Sequence, residues 1–468
     1  MTIAVFLLFS ALSADFTVEK GELRPELHSS GWGPKIASCS PEMIADIRAM
    51  GFKAARTHDW ALVDRNQRVC DNHHLFPLAH LDPKDPENYV FGPTDYLLKR
   101  TREETGLEIF FRLGTSIEHS GKVHFNAAIP DDLDRVVENF AMTVRHYRGQ
   151  VRDWEIWNEP DGDNTMWCLP EGDEAWHDMK DERYFRRRQL YVDLFVKSLK
   201  RLKGEFGDSI RVGGPALCCM SVPYFEAILD GCRKAGVAPD FISWHHYIAN
   251  PDIALKAIDR GRELCDRFGF TKCQLVINEW HYLKDGNWGL IQSKDSAVRE
   301  RAWTGPDSHA GIDSSCFNLT LLSAFQHSRL DQAFYYGCGA GNWGYQDRFL
   351  RKYKIFYGLC LFGDFLKTYR TLCASAGEDP DGEPFLTVLA AKTPDGARKG
   401  LLVTDYRTRA TELRVEVKGV AADARVTACV HDLTRDREPV AVTFRDGVLT
   451  LPKRDAESAA FLVEFATE

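Results

Sequence analysis

The chain is 468 residues long, more than one hydrophobic core usually supports, so a large domain and a smaller one are expected. With 44% hydrophobic and 27% charged residues and no low-complexity tract or fixed-period repeat, it reads as ordinary globular protein, not as fibre or disordered chain. The formal net charge of -9 is spread along the chain without a basic block, which speaks against nucleic acid as a partner.

In chain order, residues 2–14 (TIAVFLLFSALSA) form an apolar run too short to span a bilayer, so no membrane association is expected. The run ends in small residues, as a secretory segment does, yet TIAVFLL is also rich in strand formers. Residues 1–25 are therefore an N-terminal segment, either a signal peptide or a strand added to a C-terminal sheet. The 13 cysteines show no repeated C-x-x-C pattern and are best read as small buried hydrophobes, which argues against an oxidising compartment. The N-terminal run tips the balance toward a secreted or periplasmic location over a cytoplasmic one.

From residue 26 to 376, short apolar runs rich in strand formers alternate with amphipathic stretches, the pattern of a parallel sheet with crossover helices. After an opening strand within residues 28–37 come FKAART (52–57), LEIFFRLG (107–114), VRDWEIWNE (151–159) and IRVGGPA (210–216). DFISWHHY (240–247), QLVINEW (274–280) and QAFYYG (332–337) complete eight. A helix is equally legible over 131–148, where Leu133, Val136, Val137, Phe140, Val144 and Tyr147 recur at helical spacing behind Pro130 and Asp131. This α/β sequence predicts a (β/α)8 TIM barrel. A doubly wound open sheet is the alternative, weakened because no G-x-G-x-x-G follows the first strand.

Beyond residue 380 the texture changes to alternating strands such as FLTVLAA, KGLLVTDY, ELRVEVKG, RVTACVHD and FLVEF, separated by Asp, Gly and Pro turns. Residues 377–468 read as an antiparallel β-sandwich, with the polar stretch GEDPDGE (377–383) as the boundary. No aromatic stripe there suggests a ligand-binding face of its own.

A barrel carries its active site at the C-terminal ends of its strands. Two strands end in a carboxylate: WEIWNEPD sets Glu159 at the tip of the fourth, and LVINEWHY sets Glu279 at the tip of the seventh. Strands four and seven face one another across the mouth. Glycoside cleavage uses such a pair, one carboxyl to protonate the leaving oxygen and one to attack the anomeric carbon or activate water. Two repelling carboxylates also split their pKa values, leaving one protonated near neutrality. Strand periodicity puts Arg56 and His58 on one face, and Ser243, His245 and Tyr247 on another. His245 and His246, being adjacent in a strand, point apart and make a poor metal pair, so neither a metal nor a cofactor is expected.

These segments resemble the clan of retaining glycosidases with catalytic glutamates on strands four and seven, and within it glycoside hydrolase family 39, which holds β-xylosidases and α-L-iduronidases. ARTHDW (55–60), DWEIWNEPD (153–161), RVGGPALC (211–218), FISWHHY (241–247), VINEWHY (276–282) and FYGLCLFGDFL (356–366) are similar to that family's segments, in its order. The resemblance implies Glu159 as acid/base and Glu279 as nucleophile of a retaining hydrolase acting on carbohydrate. It implies that Asn158 holds the sugar 2-hydroxyl, that Arg56 and Tyr247 hydrogen-bond Glu279 and keep it ionised, and that His58 and His245 shape the pocket for the terminal sugar.

The chain departs from the family at the end of strand eight, where Tyr335, Tyr336 and Gly337 replace Tyr-Trp-Thr, so the usual tryptophan floor is missing. Trp343 is the substitute expected to swing in beside Tyr336. The loop after Glu159 carries Trp167 and Trp176, each either a sugar-stacking residue or simple packing. A β-xyloside is the first substrate reading. An endo-acting polysaccharide hydrolase and a non-catalytic carbohydrate-binding protein are the alternatives, and a homo-oligomer is compatible with the sequence.

Overall fold

A computed structural model gives the fold and describes residues 12–62, 68–116, 128–162, 167–169, 178, 180–377, 385–408, 410–454 and 457–466. The first strand, β1 (Leu12–Glu22), belongs to the C-terminal sheet. The next eight close into a parallel barrel. They are β2 (Ser29–Ser30), β3 (Ala54–Arg56), β4 (Glu108–Leu113), β5 (Asp153–Ile156), β6 (Arg211–Leu217), β7 (Phe241–Ile248), β8 (Gln274–Tyr282) and β9 (Gln332–Tyr335). Closure comes where β9 pairs with β2, Ser29 opposite Phe334 and Ser30 opposite Tyr335. Each of the eight runs named from sequence overlaps one of these strands, and the helix expected over 131–148 spans Leu133–His146 behind the side-chain cap of Asp132.

The barrel interior is built in layers. Phe110 of β4 meets the rings of Phe241 on β7 and Phe334 on β9, at 5.3 and 4.8 Å between centroids. None of these strands neighbours another in the barrel, so the rings can touch only through its centre. Ala54 and Val276 complete this apolar plug. Two residues further along, the same inward rows turn polar: Arg56 on β3, Ser243 on β7 and Asn278 on β8, joined by Glu155 on β5. On β8 the pairing with both neighbours slips between Ile277 and Trp280, a bulge-like irregularity. An extra residue in one strand re-aims side chains, which lets consecutive Asn278 and Glu279 both reach the interior.

The C-terminal sheet has ten strands. To β1 it adds β10 (Thr371–Ala376), β11 (Phe385–Lys392), β12 (Arg398–Tyr406), β13 (Glu412–Lys418) and β14 (Arg425–His431). It also holds β15 (Asp436–Pro439), β16 (Thr443–Arg445), β17 (Val448–Pro452) and β18 (Ala459–Ala466). The order is β15-β14-β18-β12-β11-β10-β1-β13-β17-β16, antiparallel throughout except for β1 beside β13. The sheet folds over on itself, because Phe465 of β18 meets Phe16 of β1 at 6.2 Å and Phe444 of β16 at 5.1 Å. Leu12, Val415, Val403, Leu449 and Phe461 fill the core between its layers. Of the polar boundary expected at 377–383, only Gly377 lies within the described residues.

Barrel and sheet are joined by specific contacts. The Tyr406 hydroxyl donates to Ala249 O at 2.8 Å, and Arg407 pairs with Asp313 at 2.7 Å and donates to the Tyr282 hydroxyl at 2.6 Å. Among the described residues, no helix is long and apolar enough to cross a membrane.

Candidate active site

Glu159 stands just beyond β5, where the chain turns sharply. Trp157 and Glu159 both take left-handed backbone angles, φ of 73° and 44°. For non-glycine residues such angles cost roughly 1–3 kcal/mol each and persist only where the surroundings impose them. Here Trp157 N donates to Leu113 O at 2.8 Å, Glu159 N to Ala216 O at 2.9 Å, and Gly162 N to Glu159 O at 2.9 Å. The Trp157 ring lies where a Cβ on Gly114 would stand, 2.3 Å away, so glycine at the end of β4 is what admits it.

Across the mouth, Glu279 is held at both oxygens. Arg56 Nη1 donates to Oε1 at 2.6 Å and the Tyr247 hydroxyl to Oε2 at 2.7 Å. The Arg56 guanidinium is fully enclosed and spends its whole fork on barrel side chains: Nε on Glu155 at 2.6 Å and Nη2 on Asn158 Oδ1 at 2.7 Å. Glu155 in turn accepts from Ser243 Oγ and Asn278 Nδ2, each at 2.7 Å. One cation thus orients Glu279, Glu155 and Asn158 together, and this polar layer sits directly on the phenylalanine plug.

His245 bridges the two candidate carboxylates. Its Nδ1 lies 2.8 Å from Glu159 Oε1 and 3.5 Å from Glu279 Oε2. Those two legs limit Glu159 Oε1 and Glu279 Oε2 to a separation of at most about 6.3 Å. The two acids are not equally open: the Glu159 side chain is 20% exposed and that of Glu279 only 5%. Burial raises the Glu279 carboxyl above its ordinary value, with the charge of Glu159 adding to it, while His245, Arg56 and the Tyr247 hydroxyl pull it down. Burial also pushes His245 down to about 4, so its imidazole is neutral at neutral pH. His58, likewise driven down by burial, has Nε2 at 3.4 Å from Glu279 Oε1. It adjoins an Asp59–Arg68 ion pair.

Asp161 follows Glu159 by two residues and accepts from Cys218 N at 3.0 Å. Burial pushes its carboxyl up to about 7 against the influence of that N–H, and the nearby Glu159 charge adds to the rise.

Aromatic rings form the other wall. Tyr336 lies 6.0 Å from Tyr247 and 6.0 Å from His58. Trp343 stands 5.4 Å from Tyr247 and 6.0 Å from Tyr336, as part of this wall. Sequence reasoning missed Trp32, which follows β2 and stacks on Tyr336 at 5.6 Å. Its ring comes within 2.4 Å of where a Cβ on Gly337 would be. Glycine at the end of β9 therefore vacates space that Trp32 fills from the opposite end of the chain.

Of the two readings of Trp167, stacking and packing, the structure favours packing. Trp167 is fully buried, packed edge-on against Trp157 at 4.9 Å and against Tyr191 at 5.8 Å, so neither face is open to a sugar. His245, expected to shape the sugar pocket, is fully enclosed and reaches the carboxylates instead, as does the equally enclosed Arg56, which was expected to hydrogen-bond Glu279. Trp176 lies outside the described residues. Glu155 went unremarked although a signal was present, since period-two alternation puts it on one face with Trp157 and Glu159. Among the described residues, no group of three or more His, Cys, Asp or Glu is placed to hold a metal ion.

No family model matches the chain. Over 230 residues it is 25% identical to a β-xylosidase from Caldicellulosiruptor saccharolyticus, a stretch covering 46% of this chain and 39% of that protein. Over 129 residues it is 28% identical to a β-xylosidase from Geobacillus stearothermophilus, covering 26% and 22% respectively. The chain thus spans well under half the length of these relatives. Among solved structures, a glucosidase from Croceicoccus marinus superposes with a TM-score of 0.71 at 19% identity, over 98% of this chain and all of that one. An α-L-arabinofuranosidase from Thermotoga maritima gives 0.62 at 12% identity, again over 98% and 100%. The chain therefore has the barrel-plus-sheet fold of solved glycosidases and shares part of its sequence with two β-xylosidases.

Proposed function

We propose that the protein is a retaining, β-xylosidase-like glycoside hydrolase of the family 39 type, with Glu159 as acid/base and Glu279 as nucleophile. The observation that carries this reading is the pair of carboxylates bridged by one imidazole. The bridge keeps one oxygen of each acid within about 6.3 Å of the other, which favours the close spacing of about 5–5.5 Å used by retaining enzymes over the wider spacing that seats a water in inverting ones. The unequal exposure supports the division of roles. The acid/base must meet both the departing group and the incoming water, and Glu159 is the more open of the two.

In this mechanism Glu279 attacks the anomeric carbon while the leaving oxygen takes the proton of Glu159, giving a covalent glycosyl-enzyme. Glu159 then draws a proton from water, whose oxygen attacks the same carbon and releases Glu279. Arg56 and Tyr247 aim the nucleophile, and two fixed donors on a buried carboxylate need no rearrangement as charge leaves it. Asn158, oriented by Arg56, is the group proposed for the sugar 2-hydroxyl. Trp343 and Tyr336 offer apolar faces to the ring.

A panel of nitrophenyl glycosides of xylose, arabinose, glucose, galactose and glucuronic acid tests the substrate. Turnover is expected to be fastest on the β-xyloside. A different preferred sugar would replace the xyloside reading, and saturable sugar binding without turnover of any glycoside would mark a binding protein instead.

A further inference from the structure

We propose that Arg187, on the outer helix Glu182–Phe206, is a positioning residue for Glu159 that acts through the backbone of the loop behind it. The inference rests on the acid/base assignment of Glu159 made above. Arg187 is 2% exposed, and its Nη2 donates to Pro160 O at 3.3 Å and to Gly162 O at 3.0 Å, the carbonyls one and three residues beyond Glu159. One turn further along the same face, the Tyr191 hydroxyl donates to Ile156 O at 2.6 Å, three residues before Glu159. The helix therefore grips the chain on both sides of the carboxylate.

The grip is closed by Trp167, whose Nε1 donates to the backbone carbonyl of Arg187 at 3.2 Å while its ring packs on Trp157. From the other flank, Cys218 N holds Asp161. A glutamate with φ of 44° needs such imposed restraint, because a backbone in that region relaxes when released. Nη2 suits the task, as its two hydrogens are fixed in the guanidinium plane and one nitrogen holds both carbonyls at once, which the freely rotating ammonium of lysine does less rigidly. Releasing the loop would leave the pocket and Glu279 in place and let the acid/base drift, and displacement of a catalytic group by about 1 Å can cost on the order of 100-fold.

The test compares R187M and R187K with E159Q and the parent enzyme, using kcat/KM on a series of aryl glycosides of the preferred sugar. Leaving groups run from dinitrophenol, which departs without protonation, to phenol and an alkyl alcohol, which need it. R187M should lose about 10- to 100-fold on the poorest leaving groups and little on the dinitrophenyl glycoside, following the slope of E159Q in milder form. R187K should fall between R187M and the parent. Circular dichroism and melting temperature confirm folding, and if R187M does not fold, R187K carries the comparison. A loss equal across all leaving groups, or no loss, while E159Q keeps its steep slope, would overturn the role of Arg187 alone. A flat profile for E159Q would overturn the acid/base assignment and this inference with it.

Discussion

Glu279→Ala is expected to lower kcat by about 10⁵- to 10⁶-fold, the scale seen when an enzyme loses its nucleophile, and added azide or formate is expected to restore turnover with the product configuration inverted. The surroundings of Glu279 are the reason. Removing its carboxylate leaves a cavity faced by Arg56 Nη1 and the Tyr247 hydroxyl, a cation and a donor previously satisfied by its two oxygens. A small anion fits both. Azide placed there attacks the anomeric carbon from the nucleophile's side, its nitrogen bonding to carbon as the aglycone leaves with the proton of Glu159. One displacement then replaces two, so a glycosyl azide of opposite anomeric configuration results. Near-native activity in this variant, or rescued product of unchanged configuration, would remove Glu279 from its role.

Arg56→Met should be the most damaging substitution to stability as well as to activity. It strands Glu155 and Glu279 in the barrel with no cation to replace the one that paired with both. Breaking a buried pair by removing one partner costs about 3–5 kcal/mol, because the remaining charge stays desolvated. The pH dependence should move as well. Arg56 is among the groups that hold the Glu279 carboxyl down, so without it that carboxyl rises further and fewer molecules carry the ionised nucleophile at a given pH. The acidic limb of kcat/KM should accordingly shift to higher pH. Arg56→Lys should recover little, since one ammonium cannot reach three side chains in the plane of a guanidinium. Denaturation with urea and a pH–rate profile check both expectations, and an unchanged stability with an unmoved acidic limb would contradict them.

What the sequence revealed, and what it hid, follows from how locally each feature is encoded. The eight barrel strands were legible because parallel strands covered on both faces read as unbroken apolar runs. The C-terminal strands that were missed are short or polar: Asp436–Pro439 and Thr443–Arg445 lie at or beside the sheet ends, where few side chains are buried, and Val448–Pro452 follows a tight turn. Thr371–Ala376 went unnoticed because TLCASA carries little apolar signal after a strongly apolar helix. The N-terminal segment offered two readings, and residues Leu12–Glu22 form a strand of the C-terminal sheet.

At the site, Arg56, His245 and Tyr247 could be placed by alternation along their strands, as could the two glutamates at strand tips. Trp32 could not, because its place depends on an empty position at Gly337, three hundred residues later, which local patterning never links to it. Trp167 is open to two readings in the sequence for a different reason. Its immediate neighbours Met166, Cys168 and Leu169 are apolar but stand in a stretch rich in Asp and Gly, and the indole is completely buried against the helix bearing Arg187 and Tyr191. A loop's composition does not say which of its aromatics turns inward.

Following the first-formed sugar by proton NMR, during hydrolysis of a glycoside of the preferred sugar, tests the account most directly. With Glu159 and Glu279 this close, the newly released sugar should carry the anomeric configuration of the bond that was cut, the other anomer growing in only later by mutarotation. Initial release of the opposite anomer would contradict the two-step displacement at Glu279.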